Sequence, residues 1–225
     1  MKALSYLILG SGHFGKLAAE RVLQENSHSD IWVVDRQAKP LEALVSLPVQ
    51  VSLGDGISEL DRLLKTGHLF DYVIPCVPFH VAFEYLLHNL KPLGARRSSV
   101  PPFSGLPNAL MGENGDLYTS LADFFCPGDC SEPPLYCTVT GKRREKPLYQ
   151  TLADAFQSYE SRVIQSQQLA PGVGGFPPKI LGDLVEDLGA LAMLGQPFLI
   201  STACSCHGVT SAFSFPISSR RTLSS

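Results

Sequence analysis

The sequence predicts an α/β protein built on a doubly wound parallel sheet, with a cysteine-rich loop insertion and C-terminal helices. Three observations lead to this fold class. Short apolar runs alternate with segments of helical periodicity over the first 100 residues, a glycine-rich turn joins the first run to the first helix, and five of the six cysteines lie after residue 100. The length of 225 residues fits one domain, or one domain with a sizeable insertion or appendage, and the 44% of hydrophobic residues is typical of a folded protein.

Composition also excludes several classes of protein. The sequence contains no run of about 18 apolar residues, so we expect no membrane span. The formal net charge of -3 argues against general nucleic-acid binding, which depends on neutralising phosphates. The first residues, Met1-Lys2-Ala3-Leu4, lack the order of a signal peptide, and we therefore expect a cytoplasmic protein.

The first part of the chain, residues 1–100, is predicted to form the core of the sheet. Four apolar runs have the composition of buried parallel strands, and the helices between them would make βαβ units with right-handed crossovers. The strands are predicted at 6–9, 31–34, 49–53 and 72–74, and the helices at 13–25, 41–47, 60–64 and 79–90.

The part beyond residue 100 is richer in Gly and Pro and is predicted to be loop-rich, with helices between the loops. Apolar residues of 148–163 share one face of a long predicted helix, and those of 180–191 share a face of another, with Gly195 as its stop. Residues 198–200 are a predicted strand. The predicted segments are a cysteine-rich loop insertion at 101–146, helices and a final strand returning to the sheet at 147–213, and a mobile tail at 214–225.

A glycine-rich turn, Gly10-Ser11-Gly12-His13-Phe14-Gly15, follows the first predicted strand and opens the first helix. Gly10 is expected to permit the tight turn, Gly12 to let the backbone approach a pyrophosphate, and Gly15 to allow close packing of helix on strand. The amides at the positive end of the helix would hold the phosphates. With an acidic residue twenty positions past Gly15, the pattern predicts a Rossmann-type dinucleotide site. The alternative is a nucleotide-type fold that binds no nucleotide.

The acidic residue is Asp35, at the end of the second predicted strand, where a carboxylate accepts hydrogen bonds from both ribose hydroxyls. Its negative charge would repel a 2′-phosphate, so NAD is expected rather than NADP. Arg36 weakens this preference, because an arginine there could receive such a phosphate. The cofactor contacts predicted from these motifs are Gly10, Ser11, Gly12, His13, Phe14, Gly15, Asp35 and Arg36.

Residues 4–92 resemble the NAD-binding Rossmann domains of the TrkA-N family, the RCK-type regulators of potassium uptake. The resemblance is carried by Leu7-Ile8-Leu9-Gly10-Ser11-Gly12, by Val33-Val34-Asp35, by Gly54-Asp55-Gly56 and by Asp71-Tyr72-Val73-Ile74. In that family the Gly-Asp pair lies near the adenine, so the resemblance implies that Asp55 neighbours the cofactor. Nothing after residue 100 looks like the small ligand-binding domain of the potassium regulators, which argues against channel gating.

Two groups of thiols follow in the second part. We call Cys126, Cys130 and Cys137 the loop cysteines, and Cys204, Cys206 and His207 the strand-end group. Cytosolic thiols stay reduced, so a disulfide framework is not expected. Three thiols within twelve positions can converge on one ion, and the strand-end group could supply a fourth ligand. We therefore predict a zinc or iron–sulfur site. The C-x3-C-x6-C spacing matches no common zinc knuckle, so buried structural cysteines and a redox-active thiol pair stay open.

Together the motifs predict an NAD(H)-binding protein whose metal or iron–sulfur site makes it an oxidoreductase or electron-transfer component. A final strand joining the sheet in parallel would bring the strand-end group to the edge where ligands of α/β sheets bind, near the nicotinamide. The alternatives are a non-catalytic NAD(H)-sensing subunit of the TrkA-N type and a zinc-stabilised structural module. A protein partner or a homo-oligomer stays open. His80 is the one candidate general base, with a structural role as its alternative.

Overall fold

The computed structural model describes residues 3–190 and 197–216, which form a mixed α/β fold with a parallel sheet and six α-helices. The strands are β1 (Ser5–Leu9), β2 (Asp30–Asp35), β3 (Gln50–Leu53), β4 (Tyr72–Pro75), β5 (Arg96–Ser98), β6 (Leu110–Met111), β7 (Leu117–Ser120), β8 (Glu160–Gln165), β9 (Gln167–Ala170), β10 (Val173–Gly175), β11 (Phe198–Ala203) and β12 (His207–Ser214). The helices are α1 (His13–Glu25), α2 (Ala38–Glu42), α3 (Gly56–Lys65), α4 (Val81–Leu90), α5 (Leu148–Ala155) and α6 (Lys179–Ala190), with a 3-10 turn at Lys91–Leu93.

The first sheet has four parallel strands in the order β3-β2-β1-β4, and α1, α2 and α3 connect them in turn. The strand–helix alternation predicted for the first part of the chain is confirmed. Alternate side chains of β1 reach two different cores, because Tyr6 and Ile8 pack with α1 whereas Leu7 and Leu9 pack with α3 and α4. Burial on both faces explains why this strand is a continuous apolar run.

The second sheet has the order β6-β7-β12-β11-β8, with β5 also paired to β12. Its pairs are antiparallel except for β8 with β11. Side chains of α3, α4 and α6 pack with apolar residues from both sheets in one core, and α5 packs on the opposite face of the second sheet. The chain is therefore layered, with helices between the two sheets and on the outer face of each.

The prediction that the final strand returns to the first sheet is wrong. β11 pairs with β8 and β12 in the second sheet. The segment that does reach the first sheet follows the β9–β10 hairpin, where Phe176 and Val73 of β4 exchange backbone hydrogen bonds of 2.9 and 3.0 Å. Phe198 and Leu199 face different cores, so β11 is buried on both sides. An apolar run of this kind predicts a buried strand without saying which sheet contains it.

The long helix predicted over 148–163 is also wrong. The helix ends at Ala155, and after a turn the chain continues as β8, which pairs with β11. Tyr159 and Val163 still pack against the same core as Leu152, which is why their spacing fitted a helical face. The predicted stop at Gly195 and residues 217–225 of the predicted tail lie outside the described residues. No helix within 3–190 or 197–216 has both the length and the apolar character to cross a membrane.

Candidate functional site

The three glycines of the turn between β1 and α1 meet different constraints. Gly10 has φ +98°, in the left-handed region, and a Cβ there would lie 2.5 Å from the carbonyl oxygen of Cys76. A Cβ on Gly15 would lie 1.9 Å from the carbonyl oxygen of Gly10. Gly12 has φ -65°, and a Cβ there would meet no atom within 4 Å. The fold therefore requires glycine at positions 10 and 15, whereas position 12 has open space in front of it.

Asp35 is fixed against this turn. Its Oδ2 accepts the backbone amide of Ser11 at 2.6 Å and the hydroxyl of the same residue at 2.9 Å, and Oδ1 accepts the amide of Gln37 at 2.9 Å. Burial acts to raise the pKa of Asp35, but these hydrogen bonds hold the pKa below its ordinary value. Oδ2 already accepts two hydrogen bonds, so Oδ1 is the carboxylate oxygen with room for a ligand.

The start of α1 is accessible from outside. Gly12 is the N-cap and offers no side-chain cap, and the first amides of a helix have no partner within the helix itself. His13 and Phe14 are exposed, and the Phe14 ring, 70% exposed, stands edge-on to the imidazole of His13. The positive end of the helix dipole therefore meets solvent beside two aromatic side chains.

Asp55 and Arg36 pair with each other. The Asp55 carboxylate caps α3 by accepting the amide of Ser58 at 2.8 Å, and it also accepts Nε of Arg36 at 2.8 Å. Against the effect of burial, these contacts lower the pKa of Asp55 to about 2. Arg36, at the end of β2, and Asp55, after the end of β3, were both predicted to contact the cofactor, and each contacts the other.

A cavity of about 1030 Å³, which we call the thiol cavity, opens beside the first turn of α1. One side is formed by Phe14 and Leu17 of α1 and by the residues that follow β4, Cys76 among them. The turn after β9 contributes Gly172. The chain between β7 and α5, which contains the loop cysteines, forms the other side. The six predicted metal-site residues all line this cavity: Cys126, Cys130, Cys137, Cys204, Cys206 and His207.

Contacts among these six residues are pairwise. Cys126 Sγ lies 3.5 Å from Nε2 of His207, and Cys204 Sγ lies 4.0 Å from Nδ1 of the same ring. Arg144 donates a hydrogen bond of 2.8 Å to Cys206 Sγ. Across residues 3–190 and 197–216, no three His, Cys, Asp or Glu side chains form a group that could hold a metal ion. The predicted ligands therefore share one cavity without being gathered into one coordination sphere.

The thiols of the cavity differ in acidity. Burial raises the pKa of Cys76 and of Cys204 to about 12, and it also raises the pKa of Cys126 and Cys206. Cys137 is the exception, because hydrogen bonds from the residues that follow it lower its pKa. All six cysteines are free thiols. At neutral pH most of these sulfurs are therefore protonated and neutral.

Sequence reasoning missed the contacts that join the loop cysteines to α1. Nη1 of Arg21, on α1, donates to the carbonyl oxygen of Gly128 and, at 2.7 Å, to that of Pro171. The carbonyl oxygen of Cys130 accepts the amide of Gly172 at 2.9 Å and Nε2 of Gln168 at 2.7 Å. A single arginine within an ordinary helix pattern carries no signal for such long-range contacts.

His80 lies away from the thiol cavity. The side chain is buried, Nδ1 is 2.8 Å from the hydroxyl of Ser211, and Nε2 is 2.9 Å from the hydroxyl of Thr202. Burial lowers the pKa of His80 to about 3, so the ring is neutral at physiological pH. Both nitrogens are engaged by hydroxyls of the second sheet, which gives His80 a structural role between α4 and that sheet.

Comparisons with known proteins give two similarities. Residues 82–216 match the family model AF_1314_C, described as "Uncharacterized protein, C-terminal domain". A protein of Archaeoglobus fulgidus, described as "Uncharacterized protein", is 30% identical over 222 residues, which span 92% of this chain and 97% of the relative. The family match begins within α4 and includes the loop cysteines and the strand-end group. The chain therefore belongs to the AF_1314_C family.

Proposed function

We propose that this protein binds NAD(H) in a Rossmann-type site and that a cysteine-ligated metal or iron–sulfur centre makes it an oxidoreductase or electron-transfer component. The observation that carries the proposal is the empty space in front of Gly12. The fold itself would accept a side chain there, and a pyrophosphate resting on the helix amides needs that space.

The surroundings of Gly12 support the same ligand. The strand order β3-β2-β1-β4 matches the first four strands of the doubly wound dinucleotide-binding fold, whose cofactor crosses the carboxyl ends of the strands. Asp35 stands at one such end as an ionised carboxylate whose Oδ1 would accept a hydrogen bond from the ribose. Its charge favours NAD over NADP. Arg36 is less able to receive a 2′-phosphate while it is paired with Asp55.

The thiol cavity supports the second half of the proposal. α1 contributes both the amides proposed for the pyrophosphate and the cavity wall at Phe14 and Leu17, so a dinucleotide lying on the turn could extend its nicotinamide toward the thiols. A set of soft sulfur donors suits zinc or an iron–sulfur cluster. Zinc would polarise a carbonyl group and a cluster would pass single electrons. The side chains would have to turn toward each other to ligate, because they are not yet gathered.

A second candidate is an NAD(H)-sensing subunit without catalysis, as the resemblance to the TrkA-N family implies. The observation that favours it is the pair of hydrogen bonds from Arg21 to the carbonyl oxygens of Gly128 and Pro171. These bonds connect α1, whose amides are proposed to bind the pyrophosphate, to an exposed loop. A change at the cofactor could reach a protein partner through this loop.

The experiment is anaerobic purification, followed by an absorption spectrum, elemental analysis and titration with NADH under fluorescence detection. Steady oxidation of NADH with an artificial electron acceptor would support the oxidoreductase. Tight binding of NADH without turnover would support the sensor instead. Iron with a broad band at about 400 nm would identify a cluster, and zinc without that band would identify a zinc site. Purified protein that binds neither NADH nor metal would contradict both candidates.

A further inference from the structure

A hairpin at residues 135–144, which we call the basic hairpin, exposes apolar side chains to solvent. The amide of Arg144 donates to the carbonyl oxygen of Leu135, and the amide of Cys137 donates to that of Lys142, both at 2.9 Å. Three of its large apolar side chains are exposed, Leu135 to 64%, Tyr136 to 50% and Val139 to 52%. Single exposed apolar residues are ordinary on a protein surface, but three within five positions of one hairpin indicate an interaction surface.

The same hairpin is positively charged on a protein that is otherwise acidic. Residues 135–146 contain four basic side chains and one acidic side chain, a formal charge of +3, and the rest of the chain has 14 basic and 20 acidic residues, a formal charge of -6. Lys142 and Arg143 are exposed, and neither side chain has an ion pair or hydrogen bond within the part of the chain that the structure describes. Such cations attract a negatively charged partner and orient its approach.

Tyr136 and Arg143 lie directly opposite each other in the hairpin, where an isolated antiparallel bridge joins them. Directly opposed residues of an antiparallel pair direct their side chains to the same side, so the aromatic ring and the guanidinium share one face. Tyrosine and arginine are enriched in protein–protein interfaces and are among the residues whose removal weakens binding most. This face therefore has the composition of an interface.

Contacts at the base of the basic hairpin hold it in place. The Arg144 guanidinium donates to Cys206 Sγ at 2.8 Å and also to the carbonyl oxygen of Pro133. Glu132, which precedes the hairpin, accepts the backbone amide of Ser205. Because the backbone is fixed in the free protein, a partner that docks there would cost little conformational freedom, and the exposed side chains could contribute to affinity.

We propose that the basic hairpin docks an acidic protein, whose carboxylates pair with Lys142 and Arg143 and whose apolar side chains pack on Leu135 and Tyr136. A second copy of this chain is a poorer occupant, because a two-fold interface would place one positive hairpin against another. A nucleic acid is also a poorer occupant, since the charge of -6 on the rest of the chain repels phosphates. The hairpin lines the thiol cavity, so the docked protein would lie beside it. The docking surface depends on neither the proposed NAD site nor the proposed metal site.

The first test follows the fluorescence anisotropy of a labelled peptide that contains only Glu and Leu during titration with the full chain. We expect saturable binding that weakens as the salt concentration rises, and no binding of the matched peptide that has Lys in place of Glu. Arg143→Glu and Tyr136→Ala should each bind the Glu peptide at least about tenfold more weakly. No binding of the Glu peptide at millimolar concentration would overturn the proposal.

The matched controls are Arg96→Glu and Leu69→Ala, which change exposed side chains of β5 and of the segment before β4. Both should bind the Glu peptide as the wild type does. All four substitutions are at exposed side chains, so we expect the variants to melt as the wild type does. Equal affinities in the hairpin variants and the controls would also overturn the proposal.

The second test compares the acidic protein with the other two occupants. A labelled single-stranded oligonucleotide of the same charge replaces the Glu peptide, and sedimentation gives the mass of the chain alone. We expect the oligonucleotide to bind more weakly than the peptide, and the wild type and Tyr136→Ala to have the same mass. Tighter binding of the oligonucleotide would make the hairpin a nucleic-acid surface. An oligomer that Tyr136→Ala dissociates would make it an interface between copies of this chain, and either result contradicts docking of an acidic protein.

Discussion

Ser11 and Asp35 are joined by two hydrogen bonds, from the backbone amide at 2.6 Å and from the hydroxyl at 2.9 Å. These bonds hold the glycine turn against the end of β2 without any bound ligand. A turn held in this way loses little conformational freedom on binding, which raises affinity without an additional contact.

Replacing Asp35 by Asn keeps an acceptor for the Ser11 amide but removes the charge. We expect NAD affinity to fall on the order of tenfold to a hundredfold, since a hydrogen bond to a charged group contributes about 1.5–3 kcal/mol. The preference for NAD over NADP should shrink at the same time. Calorimetry with both nucleotides measures each effect. Asp30→Asn, at the exposed start of β2, is the matched control, and equal affinities in the two variants would contradict the role of Asp35.

Arg21→Ala removes the hydrogen bonds that join α1 to the carbonyl oxygens of Gly128 and Pro171. We expect Cys126 and Cys130, which flank Gly128, to be alkylated several-fold faster in this variant while Cys137 keeps its rate. Bound NAD should protect the two thiols in the wild type and protect them less in Arg21→Ala. Lys16→Ala, on the exposed face of the same helix, is the control. Unchanged rates at Cys126 and Cys130 would show that this contact does not hold the loop.

His80 makes the stability of the protein dependent on pH. Its pKa in the folded chain is about 3, below the ordinary value of about 6.5, so the unfolded chain binds the proton more tightly. The contribution is complete above pH 6.5 and is lost as pH falls from there toward 3, by up to about 1.4 kcal/mol per pH unit. The free energy of unfolding in urea, measured at several pH values between 7 and 5, gives the size of this loss.

The matched variants are His80→Asn and His28→Gln, because His28 is exposed. The first should lose overall stability, since the hydroxyls of Ser211 and Thr202 lose their ring partner, and its stability should also vary less with pH. The second should behave as the wild type does. A His80→Asn protein with the wild-type pH dependence would refute the assignment of this effect to His80.

Asp55→Ala should destabilise the fold by about 1 kcal/mol, because the side chain caps α3. Its pKa of about 2 lies below the ordinary 3.8, so its ionised form contributes stability above that value and the contribution is lost as pH falls toward 2. Thermal melting at pH 7 and pH 3 measures both effects, with the exposed Asp123→Ala as control. If NAD affinity also falls by tenfold at pH 7, Asp55 contacts the cofactor as the TrkA-N resemblance implies. An unchanged melting temperature would rule out the capping role.

The sequence predicted the first sheet better than the second because its signals are local. An apolar run that ends at Gly10 and a helical pattern that starts at His13 occupy neighbouring positions, and their pairing follows from short crossovers. β8 and β11 depend on a pairing between distant segments, and the spacing of Tyr159 and Val163 from Leu152 also fits one face of a helix. For the candidate site, spacing indicated which thiols share a cavity. The anchoring of the loop by Arg21 is a tertiary feature that no spacing records.

The most direct test of dinucleotide binding is a calorimetric titration of NAD and NADH into the wild type, Gly12→Ala and Gly182→Ala. A Cβ at either glycine meets nothing within 4 Å, so neither variant should clash with the fold, and Gly182→Ala, inside α6, should melt somewhat higher because alanine favours a helix over glycine. We predict binding heat for the wild type and Gly182→Ala, and at least about tenfold weaker binding for Gly12→Ala, because a methyl group there would occupy the space of the pyrophosphate. Absence of heat from the wild type at millimolar nucleotide, or equal affinity in Gly12→Ala, would contradict the account.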